Sequence, residues 1–491
     1  MSPRRFAVLV MIGIALMQAA WIAVLPPFRG IDEVDHAYRA AAVAHGQWTA
    51  GRYAEDGRGR LVRVPADIAA AAAGQCWSLP YTGLDNCFPV SEASDGTVRI
   101  ASSAANYNPP FYWVIGTVAR PFSGAGALYA MRIATALICT LLIGAAAWSL
   151  GLKRAGPWRG IALMIALTPV ALYSTTVAAP NGPEIAAAVA LWCALLGLGR
   201  VEDPQTETRL LWVVGVAAVI LGNLRELGPG FLVVVVAICA ALDLSRFAEV
   251  IRRRRGAATA IGVLTLLSVL EQVAWIRSSG GTQLPQDGKP HWEWQNLLSW
   301  PLSTIAAFPF RDQPAPAFVY PVFIVVLVWF WVTCYRRSVG RMRYVFIVLS
   351  AGAVLMPGVL TAATYSTTGA IWQGRYGLPL DVGVPLLGAL ALERWRPQVS
   401  HLIVPTVCAS FAAINLGSLL HVLAMESHRR VSRTDAAWHQ PSVTLVCAVV
   451  LLGWAAWSAS VWGWGDRERV GSSHDVSEQV DDDLAFTRAR D

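Results

Sequence analysis

The sequence predicts an all-α, polytopic membrane protein of about 12 transmembrane helices (11–13) with a large first extracytoplasmic loop. Of its 491 residues, 55% are hydrophobic and only 14% are charged, whereas a soluble protein carries about 25% charged residues. Apolar runs of around 20 residues recur to the end of the chain, and each is long enough to cross a bilayer as a helix. These two observations exclude an ordinary soluble domain.

Twelve apolar runs are assigned as membrane helices, and the pair around Arg225 is also compatible with a single broken helix. The runs cover residues 6–25, 126–150, 160–179, 184–200, 210–225, 228–244, 257–276, 317–335, 344–363, 377–392, 400–420 and 442–464. With their loops they form one domain over residues 1–464. The tail at 465–491 is polar and poor in aromatic residues, so we expect it to be disordered and cytoplasmic.

Basic residues at the helix ends predict the orientation of the chain. Arg4 and Arg5 precede the first apolar run, which is the pattern of a signal anchor with its N-terminus in the cytoplasm. A cleaved signal peptide is the alternative, because the small residues of "MQAA" offer a cleavage point. The short predicted inner loops are basic, most clearly "RRRR" at 252–255, so we place both termini in the cytoplasm. The net charge of +7 therefore reflects membrane topology and does not indicate a nucleic-acid partner.

Two outer loops are long, at residues 26–125 and 277–316. The first contains Cys76 and Cys87 in "CWSLPYTGLDNC", and a disulfide between them suits an oxidising exterior, with two free thiols as the alternative. The second is rich in tryptophan and poor in charge, which is typical of an interfacial or re-entrant helix. No stretch of the chain has the spacing of a zinc site.

The first outer loop opens on "PPFRGIDEVDHAYRA", an unusual cluster of ionisable residues directly after an apolar run. After the two prolines and Gly30, we expect the chain to restart as a helix with Asp32 at its N-cap or in its first turn. Asp32 and His36 are then four residues apart and share one helix face. A carboxylate beside a histidine at the membrane surface suits a general base for a hydroxyl group. The alternative is a solvated helix start that carries only a salt bridge.

Four other polar stretches fall on the same predicted face of the membrane. They are "NYNPPFYW" at 106–113, "APNGPEIA" at 179–186, "NLRELGPG" at 223–230 and "IWQGRYGLPL" at 371–380. Their candidate binding residues are Asn108, Asn181, Glu184, Arg225, Gln373, Arg375 and Tyr376. Each stretch alone is a weak signal, because such residues are common in turns and an arginine at a helix end often only snorkels. Their convergence on one face predicts a single active site.

The order of these stretches resembles a broad bacterial membrane-protein family known as domain of unknown function 2142, which is grouped with the GT-C superfamily of glycosyltransferases. The matching stretches span residues 26–380. The chain departs from the family pattern at three places. Residues 28–31 separate the prolines from the acidic pair, Asn108 stands in place of a histidine, and "NGPE" at 181–184 replaces Asn-Pro-Asp.

The resemblance implies a GT-C-like enzyme in the inner membrane of a bacterium. Such an enzyme transfers a sugar, with inversion, from a polyprenyl-phosphate-linked donor to a cell-envelope glycan, glycolipid or protein at the outer face. Asp32 would be the general base, and Glu33 and His36 would orient it or bind the sugar. Arg375, with Arg225 as a second candidate, would hold the phosphate, because guanidinium can donate two parallel hydrogen bonds.

Two further expectations concern the lipid and the metal. Trp292 and Trp294 of the second outer loop would border the lipid. Neither a cofactor nor a metal is predicted, because Asp32, Glu33 and Asp35 alone do not fix a metal-ligand geometry.

Two other classes of function remain open at this level. A transporter or flippase of lipid-linked saccharides would need internal repeats and ionisable groups near the middle of the membrane. The predicted spans show no repeat, and their main ionisable residues, Arg132 and Glu271, lie nearer helix ends. A non-catalytic scaffold is the third class.

Overall fold

The computed structural model describes residues 1–92, 95–152, 156–280, 294–308, 314–368, 372–395 and 402–462. Its helices are α1 Pro3–Val24, α2 Glu33–Ala44, α3 Ala66–Trp77, α4 Leu84–Cys87, α5 Pro109–Ala119, α6 Gly124–Leu150, α7 Pro157–Ala166, α8 Pro169–Ser174, α9 Asn181–Leu198, α10 Pro204–Leu224, α11 Gly228–Leu242, α12 Leu244–Arg253, α13 Arg255–Ser279, α14 Trp294–Ile305, α15 Val319–Arg337, α16 Gly340–Thr368, α17 Leu378–Asp381, α18 Gly383–Trp395, α19 Ile403–His428, α20 Arg430–Arg433 and α21 Val443–Trp462. A 3-10 turn, Gly374–Tyr376, precedes α17. The tail at 465–491 lies outside the described residues.

Nine helices in the described ranges are long and apolar enough to cross a membrane: α1, α6, α9, α10, α13, α15, α16, α19 and α21. The bent pair α11 and α12 raises this number to ten if it forms one broken span. The predicted span 160–179 is divided into α7 and α8, where Thr168 caps the new helix and Pro169 begins it. The predicted span 377–392 is likewise divided into α17 and α18. Segmented helices of this kind make the observed number compatible with the predicted twelve.

The membrane helices pack closely enough to require small residues at their contacts. α1 lies against α6 and α21, and α9 lies against α6 and α10. Where α1 meets α21, a Cβ added to Gly13 would come within 2.8 Å of the Gly453 carbonyl oxygen. Glycine is required there because it lets the two backbones approach, as in many membrane helix pairs.

The first outer loop adds a small sheet to the helical architecture. Strands β1 Arg60–Pro65, β2 Ser91–Glu92 and β3 Thr97–Ser102 form an antiparallel sheet in the order β1-β3-β2. Buried Val62 pairs with Ile100, and buried Val64 pairs with Val98. The predicted disulfide between Cys76 and Cys87 is present and joins α3 to α4.

Helix α2 lies inside this layer. Every residue from Glu33 to Val43 is buried, and the helix packs on α5 and on the sheet. This burial excludes the alternative of a solvated helix start. The charged groups of α2 must therefore find partners within the protein.

Candidate active site

A buried ion pair fixes the turn that leads into α2. Arg132 of α6 donates to both carboxylate oxygens of Glu33, over 2.8 Å and 2.6 Å, and both side chains are fully buried. Arg132 also donates to the backbone carbonyls of residues 25–26, each over 2.7 Å. The Glu33 carboxylate accepts two further bonds, from the backbone N–H groups of Gly30 and Ala178. Glu33, predicted to be catalytic, is placed where it holds the backbone of this turn.

The inserted residues 28–31 dock the turn onto α19 and α8. Phe28 is buried and has a left-handed backbone, with φ of 59°. The Arg29 Nε donates to Glu426 at the end of α19 over 2.7 Å, and the backbone N–H of Ile31 donates to the Tyr173 hydroxyl of α8 over 3.0 Å. The insertion therefore anchors the acidic pair to the membrane domain.

Asp32 has the other left-handed backbone among the described non-glycine residues, with φ of 54°. Its side chain does not cap α2. Instead, one carboxylate oxygen lies 2.7 Å from Nη2 of Arg375, and 23% of the Asp32 side chain is exposed against 6% of the Arg375 side chain. Aspartate tolerates the left-handed region better than most residues, and such strained positions cluster at functional sites.

Arg375 belongs to a chain of contacts that ends at Glu184. The Arg375 guanidinium carbon lies 5.3 Å from the centre of the Tyr376 ring, and that of Arg225 lies 4.2 Å from the same ring. Arg225 also donates to the Glu184 carboxylate over 3.3 Å. The structure thus brings together five of the predicted residues, from stretches separated by up to 343 positions.

The 3-10 turn Gly374–Tyr376, called the Arg375 turn below, packs on the second outer loop. The backbone N–H of Gly374 donates to the Ser303 hydroxyl of α14 over 3.0 Å. A Cβ added to Gly374 would come within 2.3 Å of the Thr304 backbone nitrogen, so only glycine fits this contact. Helix α14 therefore sets the backbone position of the turn that carries Arg375.

His36 lies beside the ion pair and is surrounded by tyrosines. Its Nδ1 lies 2.7 Å from the Tyr112 hydroxyl, and its ring meets the Tyr107 ring edge to face at 5.4 Å. Burial lowers the pKa of His36 to about 3, with the positive charges of Arg225 and Arg375 adding to this effect. The imidazole is therefore neutral at physiological pH, which suits a hydrogen-bonding role and not that of a cation.

The other predicted binding residues are placed less uniformly. Asn108 is turned towards α13, where its amide donates to Glu271 over 2.8 Å and to Gln272 over 2.6 Å. Asn181 is buried at the first turn of α9. Gln373 is buried next to the Arg375 turn, and its Oε1 has no hydrogen-bond partner among the described residues. Asn108 therefore holds the 106–108 stretch against α13, while Gln373 retains an unused acceptor.

A large apolar groove reaches the Arg375 turn. It encloses about 600 Å³ and is lined by residues of α7, α14, α15, α16, α17 and α18 and by Thr168, which precedes α8. Gly374 and Gly377, on either side of Arg375, form part of its wall. Trp300 of the predicted tryptophan-rich loop also lines it, whereas Trp292 and the side chain of Trp294 lie outside the described structure. The volume suits a ligand of drug size or a segment of lipid chain.

Sequence reasoning missed three contributors to this site. Arg132 is an ionisable residue in an apolar run, a position that predicts a buried partner without identifying it. Tyr107 and Tyr112 belong to the polar stretch at 106–113, but nothing in their spacing indicates contact with His36. In the part of the chain that the structure describes, no group of three or more His, Cys, Asp or Glu residues is placed to hold a metal ion.

Comparison with known proteins gives one family and two distant structures. The profile of a family described as "Predicted membrane protein (DUF2142)" matches residues 15–384. No curated protein matches the chain. Two crystal structures of ArnT from Cupriavidus metallidurans are similar over 95% of this chain and 79% of that chain. The one bound to undecaprenyl phosphate is 13% identical with a TM-score of 0.39, and the apo one is 14% identical with a TM-score of 0.40. At TM-scores this low, nothing about the chemistry of this chain follows from the likeness.

Proposed function

This chain belongs to the DUF2142 family of predicted membrane proteins, and from that premise we propose that it is a membrane glycosyltransferase of the GT-C type. It moves a sugar, with inversion, from a polyprenyl-phosphate-linked donor to a cell-envelope acceptor. The reaction takes place at the outer face of the bacterial inner membrane, and both termini lie in the cytoplasm.

One observation carries the proposal. The Asp32 carboxylate lies 2.7 Å from Arg375, and the glycines that flank Arg375 line the apolar groove. A base, an anion-binding cation and a site for an apolar chain therefore meet at one place. A lipid-linked sugar phosphate has the matching sequence of parts, with an apolar chain, then a phosphate, then a reactive carbon.

Each part of the donor has a candidate partner in the site. The isoprenoid chain lies in the apolar groove and the phosphate lies at Arg375, whose Nε has no hydrogen-bond partner among the described residues. That spare donor suits a phosphate oxygen. Arg225 packs against the ring of Tyr376, the residue that follows Arg375. It adds a second positive charge for the departing phosphate.

The chemical step is a single displacement. The acceptor oxygen forms a bond to the anomeric carbon while Asp32 takes the acceptor proton. The bond between that carbon and the phosphate oxygen breaks, and the lipid phosphate leaves with the electron pair. General-base catalysis of this kind contributes about 10²–10⁴ in rate, and electrostatic stabilisation of the leaving phosphate by guanidinium adds to it.

Glu33 and His36 support this step without exchanging protons. Glu33 positions Asp32, because its bonds to Arg132 and to the backbone fix the turn that Asp32 ends. His36 stays neutral and offers one ring nitrogen to a sugar hydroxyl while Tyr112 engages the other.

Transfer is predicted to need no cofactor and no divalent metal. The two carboxylates of the acidic pair do not converge, since Asp32 faces Arg375 and Glu33 faces Arg132. Activity should therefore survive treatment with EDTA, and loss of activity that Mg²⁺ or Mn²⁺ restores would overturn this expectation.

Purified protein in proteoliposomes tests the proposal. A panel of polyprenyl-phosphate sugars, labelled in the sugar, is supplied with a cell-envelope extract as acceptor. The expected result is label in a new glycosidic product together with free polyprenyl phosphate. Movement of the intact lipid-linked sugar across the bilayer, without product, would show a transporter instead.

A further inference from the structure

Helix α12 lies at the end of the molecule opposite the candidate active site. Its ion-pair partner Glu207 is near the start of α10, and Arg225 of the candidate site follows the last residue of the same helix. At 1.5 Å per residue, the separation along α10 is roughly 27 Å, which is close to the hydrocarbon thickness of a bilayer. A helix at this level contacts the other surface of the membrane.

The axis of α12 turns away from the membrane helix before it. The bend between α11 and α12 is 104°, so α12 does not continue the span. Asp243 forms the break and caps α12, since its carboxylate accepts from the backbone N–H of Arg246. A helix that turns by about a right angle at the end of a span runs along the membrane surface.

The two sides of α12 differ in polarity, as in an interfacial helix. Val250 is buried against the protein core. Leu244 and Ile251 are 65% and 54% exposed, and their spacing of seven residues places them on one edge of the helix. Arg252 is next to Ile251 and is also exposed. An apolar edge beside a cation fits the boundary between acyl chains and headgroups.

Positive charge exceeds negative charge around α12. Five arginines, at 246 and 252–255, face three carboxylates, at 207, 243 and 249, which leaves a surplus of +2. Buried Glu207 accepts ion pairs from Arg246, Arg253 and Arg254, so one carboxylate is shared by three guanidinium groups.

The carboxylates do not reach all five arginines. Glu249 forms ion pairs with Arg246 and Arg253, which are already paired with Glu207. Arg252 and Arg255 have no ion-pair partner in the described ranges, and both are exposed. Their guanidinium donors remain available to an external anion.

We infer that α12 and the arginines that follow it form a binding site for an anionic phospholipid of the inner leaflet. The phosphate group of the lipid lies at Arg252 and Arg255, and its acyl chains lie along Leu244 and Ile251. Clusters of arginine on an amphipathic helix next to a membrane span bind anionic headgroups in this way. The ligand is a phospholipid and not free phosphate, because the edge of α12 next to Arg252 presents apolar side chains.

Native mass spectrometry of the full chain in detergent tests this site, with titrations of phosphatidylglycerol and of phosphatidylcholine. The wild-type protein should bind phosphatidylglycerol more tightly. The double substitution Arg252→Gln with Arg255→Gln should weaken phosphatidylglycerol binding by about fivefold for each arginine and leave phosphatidylcholine binding unchanged. Neither arginine takes part in the ion pairs of Glu207, so the variant should keep its melting temperature.

A matched control removes two exposed arginines from another predicted inner loop, through Arg336→Gln with Arg337→Gln. Inorganic phosphate as a competitor separates the lipid from its headgroup, since it should displace phosphatidylglycerol poorly. Equal binding of the two lipids by the wild-type protein, or an equal loss in both double variants, would show that the basic run is an orientation signal only.

Discussion

The carboxylate of Asp32 and the guanidinium of Arg375 form an ion pair at 2.7 Å across 343 residues of sequence. The pair joins the start of the first outer loop to the turn that ends the apolar groove. In the proposed reaction, one partner binds the acceptor proton and the other binds the donor phosphate. An arriving phosphate competes with Asp32 for Arg375, so donor binding releases the carboxylate to act on the acceptor.

Replacing Arg375 should impair donor binding more than folding. Arg375→Lys keeps the charge but loses the forked donors, and a charge-assisted hydrogen bond is worth about 1.5–3 kcal/mol. The KM for the lipid donor should rise by about 10–100-fold, as measured by initial rates across donor concentrations. Arg120→Lys, at an exposed position of the first outer loop, is the control. Equal KM values for the two variants would remove the assigned phosphate role.

The ion pair between Glu33 and Arg132 should contribute strongly to stability. Removing one partner of a buried pair leaves an uncompensated charge and costs about 3–5 kcal/mol. Glu33→Gln and Arg132→Met should each lower the melting temperature markedly in detergent. The double variant should be more stable than the sum of the two losses predicts, because neither charge remains unpaired. Additive losses in this double-mutant cycle would contradict the pairing.

Two groups on α2 should give opposite pH dependences of stability. Burial lowers the pKa of His36 to about 3 and raises the pKa of Asp35 to about 6. The folded protein resists protonation of His36, so this group reduces stability as pH falls from 6.5 towards 3. The folded protein favours protonation of Asp35. Asp35 therefore reduces stability as pH rises from 3.8 to 6.

Single variants separate these two contributions in melting curves recorded between pH 7 and pH 5. As pH falls from 7 to 5, the Asp35→Asn protein should lose more stability than the wild type, because only the effect of His36 remains. His36→Gln should show a smaller loss than the wild type, or a gain. Identical slopes for all three proteins would show that neither group titrates differently on folding.

The contact between the Arg375 turn and α14 should be sensitive to a single methyl group. Gly374→Ala places a Cβ against the Thr304 backbone, and overpacking of this kind costs about 1–3 kcal/mol. Because the turn must shift, transfer activity should fall as well. Gly352→Ala on α16 meets only one atom, at 3.8 Å, so it should leave activity unchanged and should not lower stability. A fully active Gly374→Ala protein would show that catalysis does not depend on the position of this turn.

The helical membrane architecture was predictable because long apolar runs have few alternatives in a bilayer. The divided spans were less visible, since Thr168 and Pro169 interrupt a run whose hydrophobicity continues across the break. The sheet of the first outer loop was not predictable because its strands are short and its pairing is non-local.

The candidate site was predictable only in part. Asp32, Arg225 and Arg375 were predictable as charged residues at outer turns. An ionisable residue is energetically costly next to the hydrocarbon core, and it is usually functional there. Distances between turns are a tertiary property, so nothing in the sequence indicated that Asn108 faces α13 or that Glu33 faces Arg132. The apolar groove combines residues of six helices, so no single apolar run predicts it.

The most direct measurement compares sugar transfer by the wild-type protein and by Asp32→Asn in the same proteoliposomes. Asparagine tolerates the left-handed backbone at this position, so the variant should still fold, with a lower melting temperature because the largely buried Arg375 loses its charged partner. Transfer should fall by at least about 100-fold, which is the lower end of what a general base contributes, while donor binding persists. A folded Asp32→Asn protein that transfers sugar at the wild-type rate would contradict the assignment of Asp32 as the base.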